Sequence, residues 1–193
     1  KKYNKKKMKL KLILLLLLFG CQSTEIIEPI IFDNSQMEKI TISSKNIEIN
    51  ELYDSKFAEP YIDHSLSNPP ILRLKSWIAD NISTVGNENI LVLNILDASL
   101  KKTEEDNKDA KKFDEKTIYK YELFFLVEYN LYDDSNYLIS NTTVEAFRST
   151  TSAKYISLKE TEQIIDDLIL LTLRDFTNES KKLIKIYMKE YLL

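Results

Sequence analysis

The sequence predicts an α+β domain in which an antiparallel or mixed sheet of about four strands packs on two helices, in the order strand, helix, three strands, long C-terminal helix. Three observations carry that reading. "TIYKYELFFLVEYNLY", residues 117–132, places Tyr119, Tyr121, Leu123, Phe125, Val127, Tyr129 and Leu131 on one face, the period-two pattern of a half-buried strand. A turn at "DDSN", Asp133 to Asn136, leads into "YLISNTTVEAFRST", whose own alternation completes a long hairpin. Ser157-Leu158-Lys159-Glu160 is then a capping-box pattern, and it opens an apolar stripe of Ile164, Ile165, Leu168, Leu171, Leu183, Ile184, Tyr187, Met188 and Tyr191. "TNES", within the stripe, offers a point of interruption.

The earlier elements follow in order. "KITISSKNIEIN" alternates at Ile40 and Ile42, slips, and resumes at Ile47 and Ile49, which reads as one strand with a bulge. "FAEPYIDHSLSNPP" is extended and turn-like, and Asn68-Pro69-Pro70 starts a helix, since proline is tolerated in a first turn. Ile71, Leu74, Ile78 and Ile82, with Trp77 alongside, continue it at helical spacing to Gly86 as terminator. "NILVLNILDASL" is β-rich and apolar on both faces. "KKTEEDNKDAKKFDEK" has many charges and no period, so it is expected to be a solvated loop.

The amino-terminal end has a different character. Lys1, Lys2, Lys5, Lys6, Lys7, Lys9 and Lys11 precede a continuous apolar run from Leu12 to Phe19, followed by Gly20 and Cys21. A basic segment, a short apolar core and a small residue before the cut describe a secretory signal peptide. Eight apolar residues span less than half of a ~30 Å hydrocarbon layer, so a permanent membrane helix is disfavoured. Met8 is a plausible initiator. The expected organisation is a signal peptide over 1–20, a lipidated tether over 21–38 that contains Pro29, and a single periplasmic α+β domain over 39–193.

Leu18-Phe19-Gly20-Cys21 resembles the lipobox of bacterial lipoproteins. The resemblance implies that the Cys21 thiol is diacylated, that the signal is cut before it and that the new amino terminus is acylated, with palmitate-length chains giving durable anchoring. Gln22 rather than Asp follows, which by resemblance to the sorting rule of enteric bacteria favours the outer membrane. The alternative for Cys21 is a buried free thiol. A lone cysteine makes no internal disulfide, and with His64 the single histidine there is no Cys/His zinc set.

Composition removes whole function classes. The chain has 193 residues, and beyond the leader it carries 20 basic against 30 acidic residues, which argues against nucleic acid, since phosphate binding rests on Lys and Arg. Gly20 and Gly86 are the only glycines, so phosphate-cradling loops are excluded. Asp63-His64 beside Tyr61 is the one drawable catalytic group, and it lacks a nucleophile signature; it reads as loop. Glu104, Glu105, Asp106, Asp109, Asp114 and Glu115 lack EF-hand spacing and are diluted by Lys108, Lys111 and Lys112. Asp166 and Asp167 point in different directions from a helix and read as surface. Tyr119, Tyr121 and Tyr129 fit either a ligand-binding face or, better, cross-strand packing under the long helix. Tyr187, Met188 and Tyr191 fit helix docking better than partner binding. No catalytic, cofactor-binding or metal residues are assigned, no cofactor is expected, and Cys21 is the one site residue.

Two further resemblances bear on function. Residues 119–176, with the hairpin, the Phe147-Arg148-Ser149 strand end and the helix "LKETEQIIDDLILLTLRDF", resemble LptE-like lipopolysaccharide-assembly lipoproteins. "EPYIDHSLSNPPILRLKSWIADNI" is similar to alphaproteobacterial lipoproteins of unassigned function. Together they imply a non-enzymatic, periplasm-facing outer-membrane lipoprotein that binds a protein partner in envelope assembly or in lipopolysaccharide or lipid transport. The alternative is an auxiliary lipoprotein of an ABC-type lipid transporter, carrying a lipid between sheet and helix. A carrier requires a deep apolar cavity there, whereas a docking module requires a filled interface and an exposed patch.

Overall fold

Alternation in residues 117–132 organises the computed structural model, which describes residue 34 and residues 37–108, 110–111 and 115–193, all within the unit Phe32–Leu193. The strands are β1 (Ile40–Ile42), β2 (Asn46–Glu51), β3 (Ile82–Thr84), β4 (Ile90–Asp106), β5 (Thr117–Tyr132) and β6 (Leu138–Ala153). The helices are α1 (Pro70–Asn81) and α2 (Leu158–Tyr187), with short 3-10 turns at Asp63–Ser65 and Lys189–Tyr191. The order β2-β4-β5-β6 forms a four-stranded mixed sheet, parallel between β2 and β4 and antiparallel elsewhere, and β1 pairs with β3 in a separate parallel ribbon. The α+β class expected from the sequence is therefore the observed one.

β5 is the central support. Tyr121, Leu123, Phe125, Val127, Tyr129 and Leu131 on one of its faces are all buried, because this face lies under the helices. Phe176 of α2 meets Phe125 at 6.3 Å and Trp77 of α1 at 5.2 Å between ring centroids, both edge-on, so the two helices share one layer on one side of the sheet. The hairpin turn matches its sequence signal: the Asp133 carboxylate accepts from the Ser135 and Tyr137 amides, and Asn136 takes the left-handed conformation asparagine tolerates.

Several local expectations are corrected. "KITISSKNIEIN" is two strands in two sheets rather than one bulged strand, since Ile40 and Ile42 pair with Ile82 and Thr84 while Asn46–Glu51 pairs with β4. α1 ends at Asn81, whose amide donates to the Trp77 carbonyl at 3.1 Å, and Ile82 starts a strand instead of continuing to Gly86. Gly86 serves elsewhere: at φ 155° it brings its backbone beside Ser44, whose amide nitrogen would lie 3.4 Å from an added Cβ.

The charged run from Lys101 to Lys116 begins as strand rather than loop, because β4 continues to Asp106, and β5 starts directly after the run at Thr117. Cross-strand partners replace hydrophobic periodicity there. The Lys102 ammonium sits 3.7 Å over the Tyr119 ring, and Lys120 reaches Glu105 at 3.4 Å. The two-faced apolarity of "NILVLNILDASL" has a different cause, a bulge at Leu96 between Ile95 and Asp97. Before it Leu91, Leu93 and Ile95 face the helices; after it Ala98 and Leu100 do.

α2 runs unbroken through "TNES". Thr172 and Thr177 each donate to the carbonyl four residues back, both at 2.7 Å, so these two buried hydroxyls are satisfied within the helix. Ser157 and Glu160 form the expected capping box. Within the stripe Ile165, Leu168, Ile184 and Met188 are buried, whereas Leu171 and Tyr187 are exposed.

Candidate functional site

Cys21 and the leader lie outside the described residues, and the interior of the folded unit lies between sheet and helices. Tyr129, Phe125, Phe176, Trp77 and Leu123 are fully buried there, and the Tyr129 hydroxyl meets that of Ser180 at 3.1 Å. Burial pushes the ionisation of Tyr129 well above the ordinary tyrosine value, against a smaller opposing effect of the Ser180 hydrogen bond. The layer is filled by the chain's own side chains. Of the tyrosine row, Tyr121 and Tyr129 are therefore core residues, and Tyr119 is half-buried under Lys102, with Lys154 5.8 Å from its ring.

The helices are tied by a charged contact that periodicity does not reveal. Arg73 of α1, almost fully buried, donates from Nη1 to the Asp166 carboxylate of α2. Burial lowers the guanidinium to about 10, with Asp166 acting in the opposite direction, and burial likewise raises Asp166 despite its cationic partner. Asp166 is thus no simple surface residue, while Asp167 beside it is exposed. Farther along α2, Arg148 of β6 holds Asp175 through two donors, and Lys181 pairs with Glu38.

The stretch before β1, read as tether, makes specific contacts at its end. Asn34 and Met37 are buried; Asn34 donates to Asp80 of α1 at 2.9 Å, and the Thr177 hydroxyl of α2 reaches the Met37 sulfur at 3.7 Å.

Asp63 and His64 separate on folding. Asp63 is buried and accepts from the Tyr53 hydroxyl at 3.0 Å, its Oδ1 finding no partner among the described residues, and this arrangement, burial first, pushes Tyr53 up. His64 is exposed, and its ring stacks at a tilt on Phe57, 5.1 Å away. Of the acidic run, Glu104 in β4 pairs with Lys154 at 2.7 Å and is held below its ordinary value by that bond, Glu105 pairs with Lys120, and Glu115 accepts from the Lys154 amide. Among the described residues no three His, Cys, Asp or Glu side chains gather as metal ligands, and no helix is long and apolar enough to cross a membrane. Asp109 and Asp114 lie outside the described residues.

A further surface feature is the face of the four-stranded sheet opposite the helices. A hydrogen-bonded ladder crosses it: the Asn50 amide donates to the Asn94 carbonyl oxygen at 3.0 Å, and Asn94 and Asn130 each donate to Glu128 Oε2 at 2.8 Å. Beside the ladder, Phe124 and Phe147 are direct cross-strand partners, Leu126 lies two residues along, and bulged Leu96 adjoins them. Phe147 is 56% and Leu96 36% exposed. This patch escaped the sequence reading because residues 124 and 126 sit within an unbroken apolar run, where both faces look buried. The signal that could have found it is Phe147 among the polar residues Asn141, Thr143, Glu145, Ser149 and Thr151 in the same phase of β6.

No protein-family model and no curated protein matches the sequence. Among solved structures the chain is similar to a minor lipoprotein from Acinetobacter baumannii, at 14% identity and a TM-score of 0.40 over 73% of this chain and 90% of that one. It is also similar to the rare lipoprotein B from Shewanella oneidensis, at 13% identity and a TM-score of 0.38 over 74% and 97%.

Proposed function

We propose that the chain is an outer-membrane lipoprotein, anchored through acylated Cys21 and facing the periplasm, whose α+β domain binds a partner protein in envelope assembly or in lipopolysaccharide or lipid transport. The anchoring rests on the basic and apolar leader ending in Leu18-Phe19-Gly20-Cys21. Binding of a protein, rather than carriage of a lipid inside the fold, rests on one observation: the space between sheet and helices is occupied by Trp77, Phe125, Tyr129 and Phe176. An apolar acyl chain would have to displace them at a cost of several kcal/mol. The domain is read as acting by binding rather than by catalysis, and the exposed position of His64, its ring against Phe57, supports that reading.

Direct lipopolysaccharide contact by the hairpin would need cations available to phosphate. Arg148 is held by Asp175, Lys102 lies over Tyr119, Lys101 lies 5.2 Å from the Tyr61 ring, and Lys154 is paired with Glu104. The role in transport is therefore that of a protein-binding component.

Two measurements test the reading. Fatty-acid labelling is expected in the wild type and absent in Cys21→Ala; equal labelling would refute lipidation. Crosslinking in intact envelopes is expected to recover a specific envelope protein, and recovery of none from any position on the domain sinks the partner-binding role.

A further inference from the structure

We propose that the helix-free face of the four-stranded sheet is the docking surface, and that its occupant is a segment of a partner protein with an apolar or aromatic centre flanked by Lys or Arg. The inference rests on the partner-binding role above and deepens it. Its centre is the patch of Phe124, Phe147, Leu126 and Leu96. Among the described residues no helix lies on this face, since both pack together on the other side through Trp77 and Phe176.

Charge selects the occupant. On β5, Glu122 and Glu128 bracket the patch two residues beyond Phe124 and Leu126, and on β6 the exposed Glu145 stands opposite Leu126. Glu48 of β2 lies on the same face, in phase with Asn50. Two cations share the face: Lys120 is held by Glu122 at 3.0 Å and Glu105 at 3.4 Å, and Lys101, opposite Glu122, lies 5.2 Å from the Tyr61 ring, so the uncompensated charge is that of Glu48, Glu128 and Glu145. Anionic headgroups and phosphates are repelled from such a surface, and a second copy would present the same carboxylates. A cationic rim around an apolar centre complements it, the centre supplying affinity and the rim orientation and encounter rate. Glu128 is suited to this: two amides already orient it, so little side-chain entropy remains to be lost on binding.

The test uses the full chain and two synthetic peptides with the same Leu-Phe-Leu centre, one flanked by lysines and one by glutamates. The lysine peptide is expected to bind, to weaken between about 0.05 and about 0.3 M salt, and to lose roughly tenfold in affinity with either Glu145→Lys or Phe147→Ser. Both positions are exposed, so both variants retain the fold, which circular dichroism checks. Equal binding of the two peptides, binding unaffected by the substitutions, or self-association abolished by Phe147→Ser each overturns the proposal. In envelopes, a photoreactive phenylalanine analogue in place of Phe147 is expected to capture a protein, and Glu145→Lys to abolish the capture. Capture from the same analogue at Gln163 on α2 but never at Phe147 refutes this face while leaving partner binding intact; capture from neither refutes the broader role.

Discussion

The hydroxyls of Tyr129 and Ser180 lie 3.1 Å apart in the sealed layer between β5 and α2, so a polar contact is enclosed by the largest side chains of the core. Because burial raises the ionisation of Tyr129 above its ordinary value of 10.0, its neutral form is bound to the fold. The stabilising contribution is complete below pH 10 and is lost as pH rises from there toward the folded value. Denaturation curves should therefore show stability falling above about pH 10, and the fall should be shallower in Tyr129→Phe. Below that pH the same substitution should cost about 1 kcal/mol, since Ser180 loses its partner.

Arg73 and Asp166 join the two helices out of full solvent. Asp166→Ala should destabilise by about 2–4 kcal/mol, somewhat under the ~3–5 kcal/mol of a fully buried pair because Asp166 keeps partial solvent access. Replacing both, Arg73→Met with Asp166→Leu, should return the stability to within about 1 kcal/mol of wild type. Urea denaturation of the double-mutant cycle measures the difference; additive losses would contradict the pairing.

The capping box makes α2 sensitive to acid. Glu160 is held below its ordinary 4.5 by the Ser157 amide first and the Ser157 hydroxyl second. An acid with a depressed folded value stabilises above its unfolded value, and that contribution disappears as pH falls through the folded one. Ser157→Ala should cost about 1 kcal/mol at neutral pH, and the gap to wild type should narrow at pH values below 4.5. Thermal melts across that range check it.

Phe176 meets both Phe125 and Trp77, so Phe176→Ala should open a cavity and cost about 3–5 kcal/mol. An apolar fluorescent probe should bind this variant at a stoichiometric site and leave the wild type dark. Stoichiometric uptake by the wild type would favour a lipid carrier.

Much of this architecture is legible along the chain because it is written in local periods. Alternation from Tyr119 to Leu131 implies a strand with one covered face, and Ser157 with Glu160 marks the start of α2, since each signal involves residues a few positions apart. The leader before Cys21 is equally local, a matter of charge and apolar length, and it is what points to a lipid anchor. Other decisions depend on distant partners. Ile40 and Ile47 look alike in sequence, yet one pairs with Ile82 and the other with Leu91, and only these partners divide the segment between two sheets. The Leu96 bulge reverses the phase of β4, so the same apolar run fills the core and contributes to the open face. Arg73 is buried because Asp166, 93 residues away, receives it. The sequence alone determined the class of fold and the local signals within it; the tertiary structure decided which face is filled and which is left for a partner, because burial depends on what each strand meets across the sheet.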